Sequence, residues 1–363
     1  MFSFNSIYKA YKSCRKNKRN TINALEFEKD VLQNLWNLEN ELNSKSYKIG
    51  KSICFLASSP KLREVFASDF RDRVVHHLLV PHLEGFYEPK FIYDVYNNRK
   101  NRGIHLAIKR AQKFSKSNSY YLQLDIKGFF YSLDKNILFL KIFNDLKNSN
   151  INFKDEIIWL SNKIIYHDPT KNFTFRGDIS KLKLLPPHKT LFKVPKHRGL
   201  PIGNLTSQFF ANLYMNSFDN FLKRYLKVKC YLRYVDDFVI FENSMEKLLY
   251  LKKEIEKYLL NELDLKLRDD FKLKKVNDGL DFLGYIVRPE YILVRKRVVN
   301  NYKQKKAIWL NKFEKNRGFS YEEFKKFQSI QASFKGHLKF ANSNRLLHKV
   351  GLIDDEKFIP KLT

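Results

Sequence analysis

The sequence predicts an α+β fold in which an antiparallel sheet packs on helices. Three observations point there. Short runs alternate apolar and polar residues in strand fashion, as YYLQL does at 120–124, and the apolar wings YLRYV and FVIF flank a break within 231–241. Between such runs lie longer segments with apolar residues three and four apart, the pattern of helices with one buried face. With 363 residues, 44% of them apolar and 15% aromatic, the chain can fill one large domain or two to three subdomains sharing a core.

Taken in order, residues 24–48 put Phe27, Val31, Leu35, Leu38 and Leu42 at helical spacing with charges between them, which predicts one amphipathic helix. Residues 47–55 read as a strand, and SSPKLREV at 58–65 as a basic turn leading into another. A helix follows over 69–84 with Pro81 near its end, then a shorter one over 106–116. The alternating strand at 120–125 ends on Asp125, and 135–165 continues as helix. Residues 167–199, rich in Lys and Pro, read as an excursion holding a small hairpin or a flexible loop. At 199–210 a Gly/Pro loop, GLPIGN, feeds a helix that Thr206 or Ser207 could cap, with Phe210, Leu213, Phe218, Phe221 and Tyr225 on its apolar face. After the 231–241 run come a charged helix over 245–263, a strand pair in GLDFLGYIV at 279–287, and a basic, aromatic, helical tail from Val298. No internal repeat or long linker interrupts this order, so the subdomains are expected to interlock.

Lys and Arg number 68 against 38 Asp and Glu, a formal net charge of +30. Such an excess repels itself in a compact chain and is most simply explained by a polyanionic partner, nucleic acid. The alternative is a Lys-rich protein from an AT-rich genome. Cys14, Cys54 and Cys230 lie far apart and outside any Cys/His cluster, which argues against a disulfide framework or a zinc site. No run approaches the ~20 apolar residues of a membrane span. A reducing, cytoplasmic setting without membrane is expected.

Asp236 and Asp237, inside YLRYVDDFVIF, need a reason, because Asp is depleted from strands and an unpaired buried carboxylate costs several kcal/mol. Neighbours in a straight strand point to opposite faces, so only a tight turn between the apolar wings brings both acids to one place. Asp125, which also closes an alternating strand, supplies a third. Carboxylates gathered this way repel unless protonated or balanced by cations, and divalent metal is the usual balance. Two Mg2+ ions ~3.5–4 Å apart could activate a 3′-hydroxyl and stabilise a leaving pyrophosphate, which is nucleotidyltransferase chemistry. The competing reading is that Asp-Asp simply makes a good turn.

The motifs also stand in a familiar order. YVDD at 234–237 resembles the catalytic box of reverse transcriptases, and LDIKGFF at 124–130 resembles their first aspartate motif. GLPIGNLTSQFFANLYMN resembles the glycine loop and helix between those two, and FLGY at 282–285 the later strand motif of retron- and group II-like enzymes. The order and spacing fit over nearly the whole chain. Within the family the sequence most resembles reverse transcriptases of diversity-generating retroelements. Three features carry this: IGNLTSQ at 202–208 in place of the commoner QGxxxSP, FRDRVVHH at 70–77, and GHLKFANS at 336–343. The resemblance implies a right-hand polymerase. Residues 1–115 would form an N-terminal region and fingers, 116–290 a palm with a fingers excursion at about 136–198, and 291–363 a helical basic thumb. No RNase H, endonuclease or integrase segment fits the remaining length.

Carried over position by position, the resemblance makes Asp125, Asp236 and Asp237 metal ligands for two Mg2+ ions, replaceable by Mn2+, with the Ile126 carbonyl a further ligand. Phe130 would be the steric gate against a 2′-hydroxyl, or else a core aromatic. Lys61 and Arg63 would grip the incoming triphosphate, a role suited to a point charge and a fixed fork, or else belong to a solvated turn. Lys272 would be the general acid toward pyrophosphate, although the usual LNxxKT pattern is altered here to LRDDFKLKK. Ile202 cannot hydrogen-bond near the nascent pair as Gln would, which loosens geometric checking and implies error-prone copying at template adenines; the alternative is that it only packs. Gly203 would let backbone approach the base pair, and Asn204 and Gln208 could contact template or nucleotide.

The implied function is RNA-directed DNA synthesis on a template RNA paired to a primer or cDNA, with dNTPs as substrates and a small basic helical accessory protein as partner. The source would be bacterial or phage. KRVVNNYKQKKAIWLNKFEKNR at 296–317 suits a duplex recognised by backbone and shape, or else is a solvated Lys-rich helix. A second enzyme reading is an antiphage-defence or retron-like reverse transcriptase. A third is a noncatalytic RNA-binding module on a polymerase fold, against which the three intact acids argue.

Overall fold

The computed structural model describes residues 1–16, 21–58, 61–343 and Leu346. It opens with three helices, α1 (Phe4–Arg15), α2 (Ile22–Lys29) and α3 (Val31–Asn43). The one helix expected over 24–48 is therefore two, parted at Asp30. Asp competes for local backbone hydrogen bonds and tolerates a break. The break lets Ala24 and Phe27 on α2, and Leu35, Leu38 and Leu42 on α3, all reach one core.

Strands β1 (Ser52–Ala57) and β2 (Arg63–Ala67) pair antiparallel; Ser59 and Pro60 of the connecting SSPKLRE turn lie outside the described residues. Helix α4 (Phe70–Tyr87) starts on an Asp69 cap and runs through Pro81, three residues past the expected end. It is followed by α5 (Ile104–Lys116), β3 (Tyr120–Asp125) and a single turn, α6 (Phe129–Ser132). The long helix expected over 135–165 is a helical hairpin, α7 (Lys135–Lys147) and α8 (Lys154–Tyr166). The Asn-rich stretch between them, closing on Phe153 at φ +63°, ends one helix and starts the next. Within 167–199 there is no hairpin; β4 (Phe173–Arg176) pairs parallel with β1, far upstream, and short 3-10 turns make up much of the rest. No local turn signal can reveal so distant a partner.

Helix α9 (Leu205–Asn220) ends in one widened π turn, Phe221–Tyr225. Its N-cap is Asn204, not Thr206 or Ser207, which are buried inside the first turn. Then come β5 (Tyr231–Tyr234), β6 (Asp237–Glu242), α10 (Met245–Leu263) and β7 (Lys272–Lys275). The short strands β8 (Leu280–Phe282), β9 (Tyr285–Val287) and β10 (Ile292–Val294) form an antiparallel sheet of their own. Helices α11 (Lys296–Asn316) and α12 (Tyr321–Phe340) close the described chain around a small core of Phe319 and Phe327.

The central sheet has the order β5-β6-β3-β7, antiparallel throughout. Leu122, Leu124, Phe238 and Ile240 face the main core with α9 and α10, while Tyr121, Val239 and Phe241 face a second core with α5 and β8–β10. Burial on both faces is why FVIF is an unbroken apolar run. The predicted α+β class and helix-packed antiparallel sheet are what the structure holds. None of the three cysteines is in a disulfide, and among the described residues no helix is long and apolar enough to cross a membrane.

Candidate active site

The register of the central sheet builds the site. Asp125, the last residue of β3, stands directly opposite Asp237, the first residue of β6, and Asp237 also pairs with Tyr234 at the end of β5. Val235 and Asp236 are then the two residues of the turn joining β5 to β6. Asp237 thus belongs to the strand, with Asp236 beside it in the turn. Asp125 and Asp236 come within hydrogen-bonding reach of each other.

All three side chains are half-buried, and their electrostatics follow from that. Burial, reinforced by the neighbouring Asp125, pushes Asp236 up to about 7. Burial likewise pushes Asp237 up to about 7, against the pull of a hydrogen bond from Gln123 Nε2, which donates to its two oxygens at 3.0 and 3.3 Å. Asp125 is raised by burial and drawn back by Arg268, whose Nη1 lies 3.4 Å from its Oδ2. Its other oxygen is buried without a hydrogen-bond partner. The site therefore gathers three acids whose ionisation burial and mutual repulsion oppose.

Cationic side chains face the acids from two elements. Lys61, in the turn before β2, and Arg63, its first residue, are both exposed and act on Asp125 and Asp236 respectively. Lys272, on β7 beside Gln123, acts on Asp237. Ile126 is buried, so its side chain is committed to the core and only its backbone is free for a ligand. Gly128 turns the chain at φ +59°, where an added Cβ would meet the His188 carbonyl at 3.0 Å. Phe130 follows, half-buried against the core with its ring 5.5 Å from that of Phe129.

The loop at 202–204 is tied to β2. The Ile202 carbonyl accepts from Phe66 N–H at 2.9 Å, and Gly203, at φ +121°, packs so close that a Cβ would meet Val65 Cγ1 at 2.8 Å. Asn204 does not point outward: it is buried, and its Oδ1 accepts from Ser68 N–H and Oγ at 3.2 and 2.9 Å. Gln208 is exposed in the first turn of α9. The loop is thus hydrogen-bonded and packed against the strand that carries Arg63.

Sequence reasoning passed over Gln123, Arg268 and Arg233. Gln123 and Arg233 each interrupt an apolar strand, the same kind of signal that exposed the aspartates. Arg268 lies in LRDDF, where no periodicity marks it. Two of the features behind the retroelement likeness also find places. His76 of FRDRVVHH is a buried side chain whose imidazole burial pushes down to about 3. His337 of GHLKFANS meets the Tyr285 hydroxyl of FLGY at 2.9 Å.

Residues 57–287 match the family profile described as reverse transcriptase (RNA-dependent DNA polymerase), a span that takes in the three aspartates and every cation just named. The chain belongs to the reverse transcriptase family. This reverse transcriptase is 24% identical over 312 residues to protein YkfC of Escherichia coli (strain K12), covering 74% of this chain and 75% of that one. It is 22% identical over 298 residues to the group II intron-encoded protein LtrA of Lactococcus lactis, covering 64% of this chain and 45% of LtrA. Among solved structures it is similar to apo telomerase from Candida tropicalis (TM-score 0.46, 12% identity, 70% of this chain and 52% of that one). Telomerase from Candida albicans in complex with a TWJ fragment of telomeric RNA gives a TM-score of 0.46 at 11% identity, over 83% of this chain and 55% of that one. The chain thus spans about half the length of LtrA and of these telomerases.

Proposed function

We propose that the protein copies a template RNA into cDNA by two-metal nucleotidyl transfer. The observation that carries this reading is the register that sets Asp125 against Asp237 with Asp236 in the adjoining turn. Among the described residues no three His, Cys, Asp or Glu side chains form a ready-made metal cage. The donor set still fits Mg2+, which is commonly held by one or two carboxylates and completed by substrate phosphates and water. The unpartnered Asp125 oxygen and the raised Asp236 and Asp237 are what such a site looks like before a cation neutralises it.

Asp125, Asp236, Asp237 and the Ile126 carbonyl would hold Mg2+, or Mn2+ in its place. When bound, the ions supply activation of the primer 3′-hydroxyl and stabilisation of the leaving pyrophosphate. Lys61 and Arg63 bind the triphosphate of the incoming dNTP, and Lys272 donates a proton toward pyrophosphate. Phe130 stands against the sugar and excludes a 2′-hydroxyl. The β1, β2 and β4 sheet with the N-terminal helices acts as fingers, the central sheet as palm, and α11 and α12 as a basic thumb on the template–primer duplex. Primer extension on an RNA template tests the reading: the protein should add dNTPs with Mg2+, none in EDTA, and should prefer dNTPs over rNTPs until Phe130 is changed to Ala. Extension that survives chelation would contradict it.

The subtype reading is a diversity-generating retroelement enzyme that is error-prone at template adenines and works with a small basic accessory protein. It is supported by Ile202, which fills the position of a hydrogen-bonding Gln, on a loop fixed to β2. Sequencing the cDNA tests it. Errors opposite adenine should exceed those opposite other bases and fall in Ile202→Gln; equal rates in both proteins would remove the subtype.

A further inference from the structure

The turn that carries Asp236 is held from behind by a buried polar network that nucleotidyl transfer itself does not use. Val235 sits at φ +62°, a left-handed conformation that Gly or Asn adopts readily and a β-branched residue does not. Its two peptide groups are both pinned. The Val235 N–H donates to Asn97 Oδ1 at 2.9 Å, and the Val235 carbonyl accepts from Arg233 Nη1 at 2.8 Å.

Each of these partners is fixed in turn. Asn97 Nδ2 donates to Asn212 Oδ1 at 2.8 Å, and Asn212 Nδ2 donates back to the Asn97 carbonyl at 2.8 Å. The Arg233 guanidinium forks onto Asp219, with Nε to Oδ1 at 2.8 Å and Nη2 to Oδ2 at 2.6 Å. Arg233, Asp219 and Asn212 are wholly removed from solvent. A buried ion pair is weak evidence for stability, since desolvation offsets its attraction. What this one does supply is a guanidinium locked in orientation, with a donor left over for the Val235 carbonyl.

We propose that Asn97 and Arg233 are positioning residues: together they impose the left-handed backbone at Val235 that aims Asp236 at Asp125. The proposal rests on the polymerase reading of the three aspartates. Both residues act through the backbone of the turn, at one remove from the reacting atoms.

The test compares Asn97→Ala, Val235→Gly and the double variant. Glycine takes the left-handed conformation unaided, so the network should matter less in its presence. Asn97→Ala should lower kcat for single-nucleotide addition by about 10–100-fold, the cost of a small misplacement of reacting groups, with template–primer affinity unchanged. In the Val235→Gly background the same change should cost at least about fivefold less. Val235→Asn gives a second tolerant background if glycine loosens the turn. Equal losses in all backgrounds would overturn the proposal, because Asn97 would then support only the fold; so would wild-type kcat in Asn97→Ala. If the wild-type protein adds no nucleotide, the polymerase reading fails by itself. The same cycle read by urea midpoint then decides the positioning claim, with coupling between 97 and 235 supporting it and simple additivity overturning it.

Discussion

Asp236 and Asp237, each pushed up to about 7 by burial, stand well above the roughly 3.9 of a free Asp. The folded chain therefore holds protons there that the unfolded chain has released. Without a cation, the stability linked to these groups is fully present below about pH 4 and is lost as pH rises toward 7. In EDTA the urea midpoint should fall across that window, and it should fall less in Asp237→Asn; parallel profiles would contradict the assignment. Mg2+ should flatten the wild-type slope, since its binding displaces the same protons. The aspartates were legible in the sequence because acids inside an apolar run break the pattern of a strand. Gln123 and Arg233 break it too, but their meaning depends on partners brought close by the fold: Asp237 for the first, Asp219 and Val235 for the second.

Elements with local signals matched their predicted bounds, α10 and the β8–β9 pair among them, because capping and periodicity are written in adjacent residues. The elements that differed depend on distant contacts. β4 exists because β1 offers it a parallel edge, and the breaks at Asp30 and before Phe153 let neighbouring helices reach one core. Helix α9 is the element on which the turn at Val235 and Asp236 leans, since it carries Asn212 and Asp219 of the network behind it. Removing the Asp219 carboxylate leaves Arg233 buried and unpaired, so Asp219→Ala should destabilise the fold by about 3–5 kcal/mol in urea unfolding. A change below about 1 kcal/mol would mean that water enters and solvates the guanidinium. Gly203→Ala should also lower the melting temperature, because the new methyl meets Val65 and the Phe66 carbonyl at a φ of +121°. An unchanged melting temperature would show that the loop at 202–204 does not hold to β2 as described.

The whole molecule carries a net charge of +30, and α11 spreads lysines along a helix whose described side chains are mostly exposed. Duplex binding should weaken with salt, the logarithm of affinity falling by ~0.9 per phosphate contact per unit of log salt. Changing the exposed Lys303 and Lys305 to Ala should weaken binding and reduce that slope by up to about 2, while leaving kcat at saturating duplex unchanged. An unaltered slope would place the duplex elsewhere. Net charge was legible from composition; which surface a polyanionic partner would meet is set by the fold. The claim on which the rest depends is that the three aspartates at the end of the central sheet perform the chemistry. It is tested most directly by single-nucleotide addition to a primer on an RNA template, comparing wild type with Asp236→Ala and measuring duplex affinity alongside. Loss of incorporation by about a thousandfold or more with affinity retained is the predicted result. Incorporation at the wild-type rate in Asp236→Ala would contradict the account.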